Sequence, residues 1–430
     1  MVGLLIAFVA PPGVAVWRAI TDFTPELTPL SPIARHVEAP PPAPPLRLPT
    51  IGKKAETIGP LLDDRDGVLD AFYGALRRPD GITRIVHYGD SPTTADLITG
   101  DIRRLLQQRF GDAGHGFILP AKPWAWYQHD GVRVNGSGWQ MAPASRFEAR
   151  DGLFGLGGVS LTGSAGASSR IAYDKAGYTH FEVWFLRRPD GGSFTFAAGD
   201  TVLGKVDTAG EEQAAAFAAF STPEPAGNVE LRVTQGQVRV FGITAESAGP
   251  GLVYDSLGLN GASITVLSRM LNAGHWAAEL EHRHPDLVII NYGTNEADFA
   301  DFVDKQYDKE LREAIRRVRA ALPASSILIM SPMDRGYKTP AGTIATMPTI
   351  PRIVALQRRV ARETRCGFFD TFHAMGGDDT MARWYAAQPR LVSADFIHPY
   401  PAGGKIIATA FARAIISGLD RYQLRTSKLK

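Results

Sequence analysis

Four side chains in this sequence are of types that could perform acyl chemistry together: Ser91, Asn295, Asp395 and His398. A serine hydroxyl attacks a carbonyl weakly unless a base takes its proton as it does so. The imidazole of His398, with a reference pKa of about 6.5, suits that task and can return the proton to a leaving group. Asp395, in Asp395-Phe-Ile-His398-Pro399, can accept the other ring N–H, fix the tautomer and stabilise the imidazolium. Asn295, in Tyr292-Gly-Thr-Asn295-Glu296, offers an amide donor to a tetrahedral oxyanion, alongside the backbone N–H of Ser91. Gly261, in Leu259-Asn-Gly261-Ala262, offers a further backbone donor that no side chain obstructs. Each fragment alone has a plain structural reading. Ser91 at a strand–helix junction is a preferred N-cap, Asp-x-x-His is commonly a local surface bond, and Gly-x-Asn or Gly261 commonly a turn. Only the set raises the chemical reading above these.

The elements that must position the set follow from periodicity. Ile82–Tyr88 reads as a strand that ends in Gly89-Asp90-Ser91. Leu97, Ile98, Ile102, Leu105, Leu106 and Phe110 predict a helix over Ala95–Phe110. Ser91 then sits at the positive end of a helix, where its N–H can face an oxyanion. Leu61–Leu76 reads as an earlier helix. After Gly251 the βα rhythm returns. Pro285–Tyr292 is a nearly continuous apolar run, as expected of a parallel strand buried on both faces. Tyr307–Leu322 (helix), Ser326–Met330 (strand), Ile353–Thr364 (helix), Gly367–Asp370 (strand) and Ala402–Leu419 (helix) follow. Ligands in such sheets sit at the carboxyl ends of the strands. Ser91 and Asn295 fall there, and His398 lies in the loop before the last helix.

Between about Gly152 and Ser247 the pattern is β. Val159–Leu161, Arg170–Tyr173, His180–Phe185, Ser193–Phe196, Val229–Val233 and Val238–Phe241 are short alternating or β-branched runs separated by turn clusters. They predict a β-sandwich or jelly roll. Trp124, Trp126, Tyr127 and Trp139 precede it, as a sugar-stacking platform or as the lining of the joint between two domains.

Bulk composition narrows the function classes. A net charge of +2, from 46 basic and 44 acidic residues, gives no basic excess to bind nucleic acid. The single cysteine, Cys366, rules out an intrachain disulfide and a cysteine-based metal cluster, and reads as a small buried hydrophobe. His87, His115 and His373 read as structural. His282 and His284, followed by Pro285, read as a loop and not a zinc site. Glu296 and Asp334 follow strands without an evident partner. Val2–Trp17 is almost wholly apolar and reads as an export signal or a membrane tether, with a frayed soluble tail as the alternative, since no Lys or Arg precedes it and Pro11-Pro12 interrupts it. Thr24–Pro49 is a Pro-rich spacer. The expected organisation is a signal or anchor at 1–20, a linker at 21–50, the first αβ part at 51–150, a β insert at 151–250 and the second αβ part at 251–425.

The order of the pieces resembles the blocks of the SGNH (GDSL-type) hydrolases: Gly89-Asp90-Ser91, Gly258-Leu-Asn-Gly261, Gly293-Thr-Asn295 and Asp395-Phe-Ile-His398. The resemblance covers residues 60–120 and 250–420. It implies a flavodoxin-like parallel sheet and ester hydrolysis or acyl transfer without metal or other cofactor. Ser91 would be the nucleophile, His398 the base, Asp395 its orienting acid, and Ser91, Gly261 and Asn295 the oxyanion donors. Two departures stand out: a long insertion separates the first two blocks, and Pro92, which has no N–H to donate, follows the serine. A β domain inside such a fold is similar to the layout of bacterial peptidoglycan O-acetylesterases, whose insert looks like a carbohydrate-binding module. The expected substrate is an acylated polysaccharide of the cell envelope, met in the periplasm or at the membrane. The same residues would also serve a glycan O-acyltransferase or a lipase or arylesterase, and an inactive glycan-binding protein is the alternative outside catalysis.

Overall fold

The computed structural model describes residues 60–146, 151–175 and 177–428. The expected signal or anchor and the Pro-rich linker lie outside the described residues.

The fold holds a six-stranded sheet in the order Leu62–Asp63, Gly367–Phe369, Ser326–Met330, Leu287–Asn291, Ile82–Gly89, Gly251–Gly258. The strand Leu62–Asp63 runs antiparallel to its neighbour and the other pairs are parallel. Counted along the chain, the parallel strands lie in the order 2-1-3-4-5, the doubly wound arrangement with a switch point between the first and third. Successive side chains of a strand face opposite ways, and the two cores show it. Val86, Tyr88, Val288, Ile290, Ile327 and Ile329 join one hydrophobic cluster. Ile85, Leu287, Ile289, Leu328 and Met330 join the other. Helices Ala273–Arg283, Tyr307–Ala321 and Thr349–Glu363 cover the first face. Helices Asp70–Ala75, Thr99–Phe110, Thr380–Ala386 and Pro401–Ser427 cover the second.

Three expectations about these elements change. The helix expected over Leu61–Leu76 is a short strand, a single tight turn and then the helix Asp70–Ala75. Asp63 is instead drawn into bonds with Arg65 and Arg362. The helix expected from Ala95 begins at Thr99. It is broken from the turn Ser91–Thr94 by Asp96, which takes a left-handed φ of 55°. The loop expected at His282–His284 is the end of the helix Ala273–Arg283, closed by His284 in the left-handed conformation.

The β part is a nine-stranded antiparallel sheet with one connected hydrogen-bond network. It takes in Gly114–Ile118, paired with Gln237–Glu246, and Val132–Pro143, paired with Val159–Tyr173. Its strands thus begin well before residue 151, the boundary expected from sequence. Its core is continuous with one face of the parallel sheet: Trp184, Phe196 and Val240 belong to the same cluster as Val288 and Trp276. A buried polar network crosses the junction. The Arg283 guanidinium donates to Asp255 at 2.6 Å and to Glu246 at 2.5 Å, and Arg84 donates to Glu246 at 2.7 Å. The other Asp255 oxygen accepts the Phe117 N–H at 2.8 Å. Leaving any one of these charges unpaired costs about 3–5 kcal/mol, so the network fixes the register between the two parts.

Candidate active site

Ser91, Asp395 and His398 meet in one relay. Ser91 Oγ and His398 Nε2 are 2.7 Å apart, and His398 Nδ1 and Asp395 Oδ2 are 2.6 Å apart. Ser91 does not cap a helix: Asp90 is the N-cap residue of the turn Ser91–Thr94, and the serine hydroxyl is turned to the imidazole. That turn is four residues long, so its macrodipole is slight and the Ser91 N–H would act as a plain donor. The other partners sit on a small loop. Val392 bridges to Pro399, Tyr400 N–H donates to Leu391 O at 2.9 Å, and Phe396, with a φ of 58°, buries its ring against Tyr385. Asp395 Oδ1 accepts from Ile397 N–H at 2.9 Å, from His398 N–H at 3.1 Å and from the Ser393 hydroxyl. Burial would raise the Asp395 carboxyl, but the hydrogen bond and charge of His398, with Ser393 and the backbone N–H, outweigh it and hold the group well below the usual carboxylate range. Asp395 is therefore ionised wherever His398 has to act as a base. Ser393 escaped the sequence reading, because a serine two residues before an acid carries no signal.

Asn295 is tied to the residue that follows Gly261. Asn295 Nδ2 donates to Ala262 O at 2.8 Å, tying the loop after strand Leu287–Asn291 to the Gly261 turn. Leu259 N–H donates to Gly89 O at 3.0 Å, seating the same turn on the end of the serine strand. Asn291 pairs with Gly89, so both loops leave one edge of the sheet side by side. Gly261 is exposed with a φ of 68°, a conformation a glycine adopts freely. Gly258 has a different role. A Cβ there would lie 1.9 Å from Thr94 N, inside the turn that carries Ser91. Gly258→Ala is therefore expected to cost about 1–3 kcal/mol of stability by overpacking. It should also lower kcat without altering any reacting group. Thermal unfolding together with esterase assay checks this, and wild-type values in both would refute it.

Two buried acids lie behind these loops. Burial raises the Asp90 carboxyl to about 6, against the Thr294 hydroxyl and the charges of His398 and Arg335. Burial likewise pushes Glu296 up to about 7, against the Ile264 N–H, while the charge of Asp90 adds to the rise. Glu296 was expected to lack a partner, yet it accepts from Ile264 N–H at 2.7 Å; Asp334 likewise accepts from Met381 N–H at 2.8 Å. A carboxyl whose pKa is raised on folding keeps its proton in the native state while the unfolded chain has lost it. Its contribution to stability is present at low pH and falls as pH rises from about 4 to 6 for Asp90. Asp90→Asn is thus expected to gain on the wild type by up to about 3 kcal/mol over that window, two pKa units at 1.36 kcal/mol each, and to run parallel above it. Urea titrations from pH 4 to 8 measure the difference, and parallel curves throughout would sink the idea.

The aromatic residues noted in the sequence do not form one platform. Trp124 and Tyr127 are buried in the core, with Tyr127 Oη accepting from Leu119 N–H at 2.9 Å. Trp139 lies across its own sheet and donates to Ser168 O at 2.9 Å. Trp126 alone of the four reaches the site, donating to Asn260 Oδ1 at 3.3 Å beside Gly261. Two exposed aromatics not noted in the sequence lie close in the chain to site residues: Phe299, four residues after Asn295, and Tyr400, two after His398. His87, His115 and His373 are bonded within the fold, to Tyr254, His129 and Asp370.

The profile of the GDSL-like lipase/acylhydrolase family matches residues 232–406, a span that includes Asn295, Asp395 and His398 and leaves out Ser91. Among solved structures, a peptidoglycan O-acetylesterase superposes with a TM-score of 0.70 at 25% identity, over 84% of this chain and 99% of that one. A salicylyl-acyltransferase from a tetracycline biosynthetic pathway gives 0.33 at 14% identity, over 70% and 96% of the two chains. A family two carbohydrate esterase from Clostridium thermocellum, in complex with cellohexaose, gives 0.29 at 11%, over 67% and 99%. No curated protein sequence matches the chain significantly. The family match, the extended likeness to the O-acetylesterase and a serine placed on a histidine–aspartate pair agree: residues 232–406 form a GDSL-like lipase/acylhydrolase segment, and the chain is a serine ester hydrolase.

Proposed function

We propose that the protein is an exported esterase that removes O-acyl groups, acetyl in the first instance, from a cell-envelope glycan such as peptidoglycan. The observation that carries the chemistry is the relay from Ser91 Oγ through His398 to Asp395, with contacts of 2.7 and 2.6 Å. Ser91 Oγ attacks the ester carbonyl as His398 Nε2 takes its proton, and Asp395 stabilises the imidazolium so formed. Charge gathers on the former carbonyl oxygen, where Ser91 N–H, Gly261 N–H and Asn295 Nδ2 serve as donors. Collapse breaks the bond to the sugar oxygen, which leaves with the proton from His398. Water then attacks the acyl-serine, His398 again taking and returning a proton, and the acid departs.

The substrate reading draws on the likeness to the peptidoglycan O-acetylesterase, which spans 84% of this chain and 99% of that one. Phe299 and Tyr400 add to it: exposed aromatic rings close in the chain to Asn295 and His398 are suited to lie against the apolar face of a sugar ring. The export reading draws on Val2–Trp17 and the Pro-rich spacer. The test is acetate release from O-acetylated peptidoglycan, run beside aryl esters of short and long acyl chains with Ser91→Ala as control. Release from the glycan and a preference for the acetyl ester are expected. Hydrolysis confined to long-chain esters, with no acetate from glycan above the control, would reject the proposal.

A further inference from the structure

We propose that Glu296 is a positioning residue of the reaction centre, whose buried carboxyl clamps the turn Leu259–Ile264 to the turn Tyr292–Glu296 and so holds Gly261 N–H and the Asn295 amide on Ser91. The inference rests on the reading of Gly261 and Asn295 as oxyanion donors. Glu296 is 2% exposed, and its Oε1 accepts from Ile264 N–H at 2.7 Å. Asn295, its neighbour, donates Nδ2 to Ala262 O at 2.8 Å. Adjacent side chains on one turn thus bond in opposite senses to residues two apart on the other: one takes an N–H and the other gives one. Such a pair fixes both the separation of the turns and their twist, which a single bond would leave free. The far end of the first turn is held as well, by Leu259 N–H on Gly89 O at 3.0 Å. Gly261 itself is exposed and a Cβ there would meet no atom within 4 Å. Its direction is therefore set by its neighbours on the turn and not by packing.

Stability alone does not account for a carboxyl in this place. Its partners are backbone N–H groups, those of Ile264, Gly293 and Glu296 itself, and not a basic side chain, so the buried carboxyl has no counter-charge. A buried carboxyl without a basic partner is costly, and positions that break the rules of packing and pairing are expected at functional sites. An acceptor long enough to reach Ile264 N–H from beside Asn295 is what the geometry demands. Glutamate supplies it, glutamine supplies the same oxygen, and aspartate is one methylene too short.

The experiment compares Glu296→Ala, Glu296→Gln and Glu296→Asp on an aryl acetate, together with the affinity for benzeneboronic acid, which adds to the serine oxygen as a tetrahedral anion. Glu296→Ala is expected to lower kcat by about 10- to 100-fold with KM little changed, less than the loss of an oxyanion donor outright. Boronate affinity should fall by a similar factor, and Glu296→Gln should recover most of both. Should Glu296→Ala not fold, Glu296→Asp is expected to show a smaller loss of the same pattern. Wild-type kcat in Glu296→Ala or Glu296→Asp would overturn the inference. So would a fall in kcat with boronate affinity unchanged, or a Gln variant as impaired as the Ala variant. Asn295→Ala, assayed in parallel, separates the two layers. If it is impaired and Glu296→Ala is not, the clamp fails alone; if Asn295→Ala is itself unaffected, the oxyanion reading fails and the clamp with it.

Discussion

Ser91→Ala and His398→Ala are each expected to lower kcat on an aryl acetate by about 10⁴-fold or more, the range that follows when one member of a serine–histidine–acid set is removed. The reason is the coupling of two events. The hydroxyl gains nucleophilic character only while His398 Nε2, 2.7 Å away, withdraws its proton. Without the imidazole, the serine attacks as a neutral alcohol. Without the serine, the imidazole has no hydroxyl to activate and no acyl-enzyme forms. The two losses therefore do not add, and the double variant should be about as slow as either single one. Neither change should unfold the protein. The serine hydroxyl makes a single side-chain bond whose net worth is about 1 kcal/mol. Loss of the imidazole leaves Asp395 still bound by Ser393 and by backbone N–H groups. Steady-state rates with circular dichroism as a fold control test this. A Ser91→Ala protein turning over within tenfold of wild type would refute the acyl-serine mechanism.

Much of the parallel sheet was legible because burial on both faces writes itself as an unbroken apolar run, as in Leu287–Ile290 and Ser326–Met330. Gly251–Gly258 was not singled out as a strand. It carries Asp255 and Ser256, whose polarity is answered by Arg283 and by Thr93 and Thr99 far away in the chain. Strand Ala214–Ala226 was missed for a related reason. Its alanine-rich start has no β signature, and pairing with Tyr178–Arg187 decides its conformation. Val159–Leu161 and Arg170–Tyr173 were read as separate strands and are one, Val159–Tyr173, because the small residues between them remain extended. In the site, Ser91, Asn295, Asp395 and His398 were visible as residue types in an order. The parts played by Asp90, Glu296 and Ser393 were not, because what distinguishes them is burial or a hydrogen bond, and neither is a property of the local sequence.

Asn295→Ala is expected to lower kcat by about 10²- to 10³-fold with KM nearly unchanged, the loss associated with one side-chain donor of an oxyanion hole. The amide is held by its bond to Ala262 O at 2.8 Å, which occupies one of its two N–H groups and orients the other. Preorganisation of that kind strengthens a donor in the transition state, because nothing has to turn as charge develops. A donor that acts only there lowers kcat and kcat/KM together, whereas one that grips the ground state raises KM instead. Asn295→Asp should be at least as slow at neutral pH: a carboxylate has no hydrogen to give and places a negative charge where the oxyanion must form. Gly261→Ala offers the contrast. Its N–H survives and the methyl has room, but the φ of 68° is strained for alanine by about 1–2 kcal/mol, so a much smaller loss is expected. Losses ranked Asn295→Asp, Asn295→Ala, Gly261→Ala from largest to smallest, all in kcat, would assign the charge-stabilising work to the side-chain amide. A loss in KM for Asn295→Ala with kcat preserved would assign that residue to holding substrate instead.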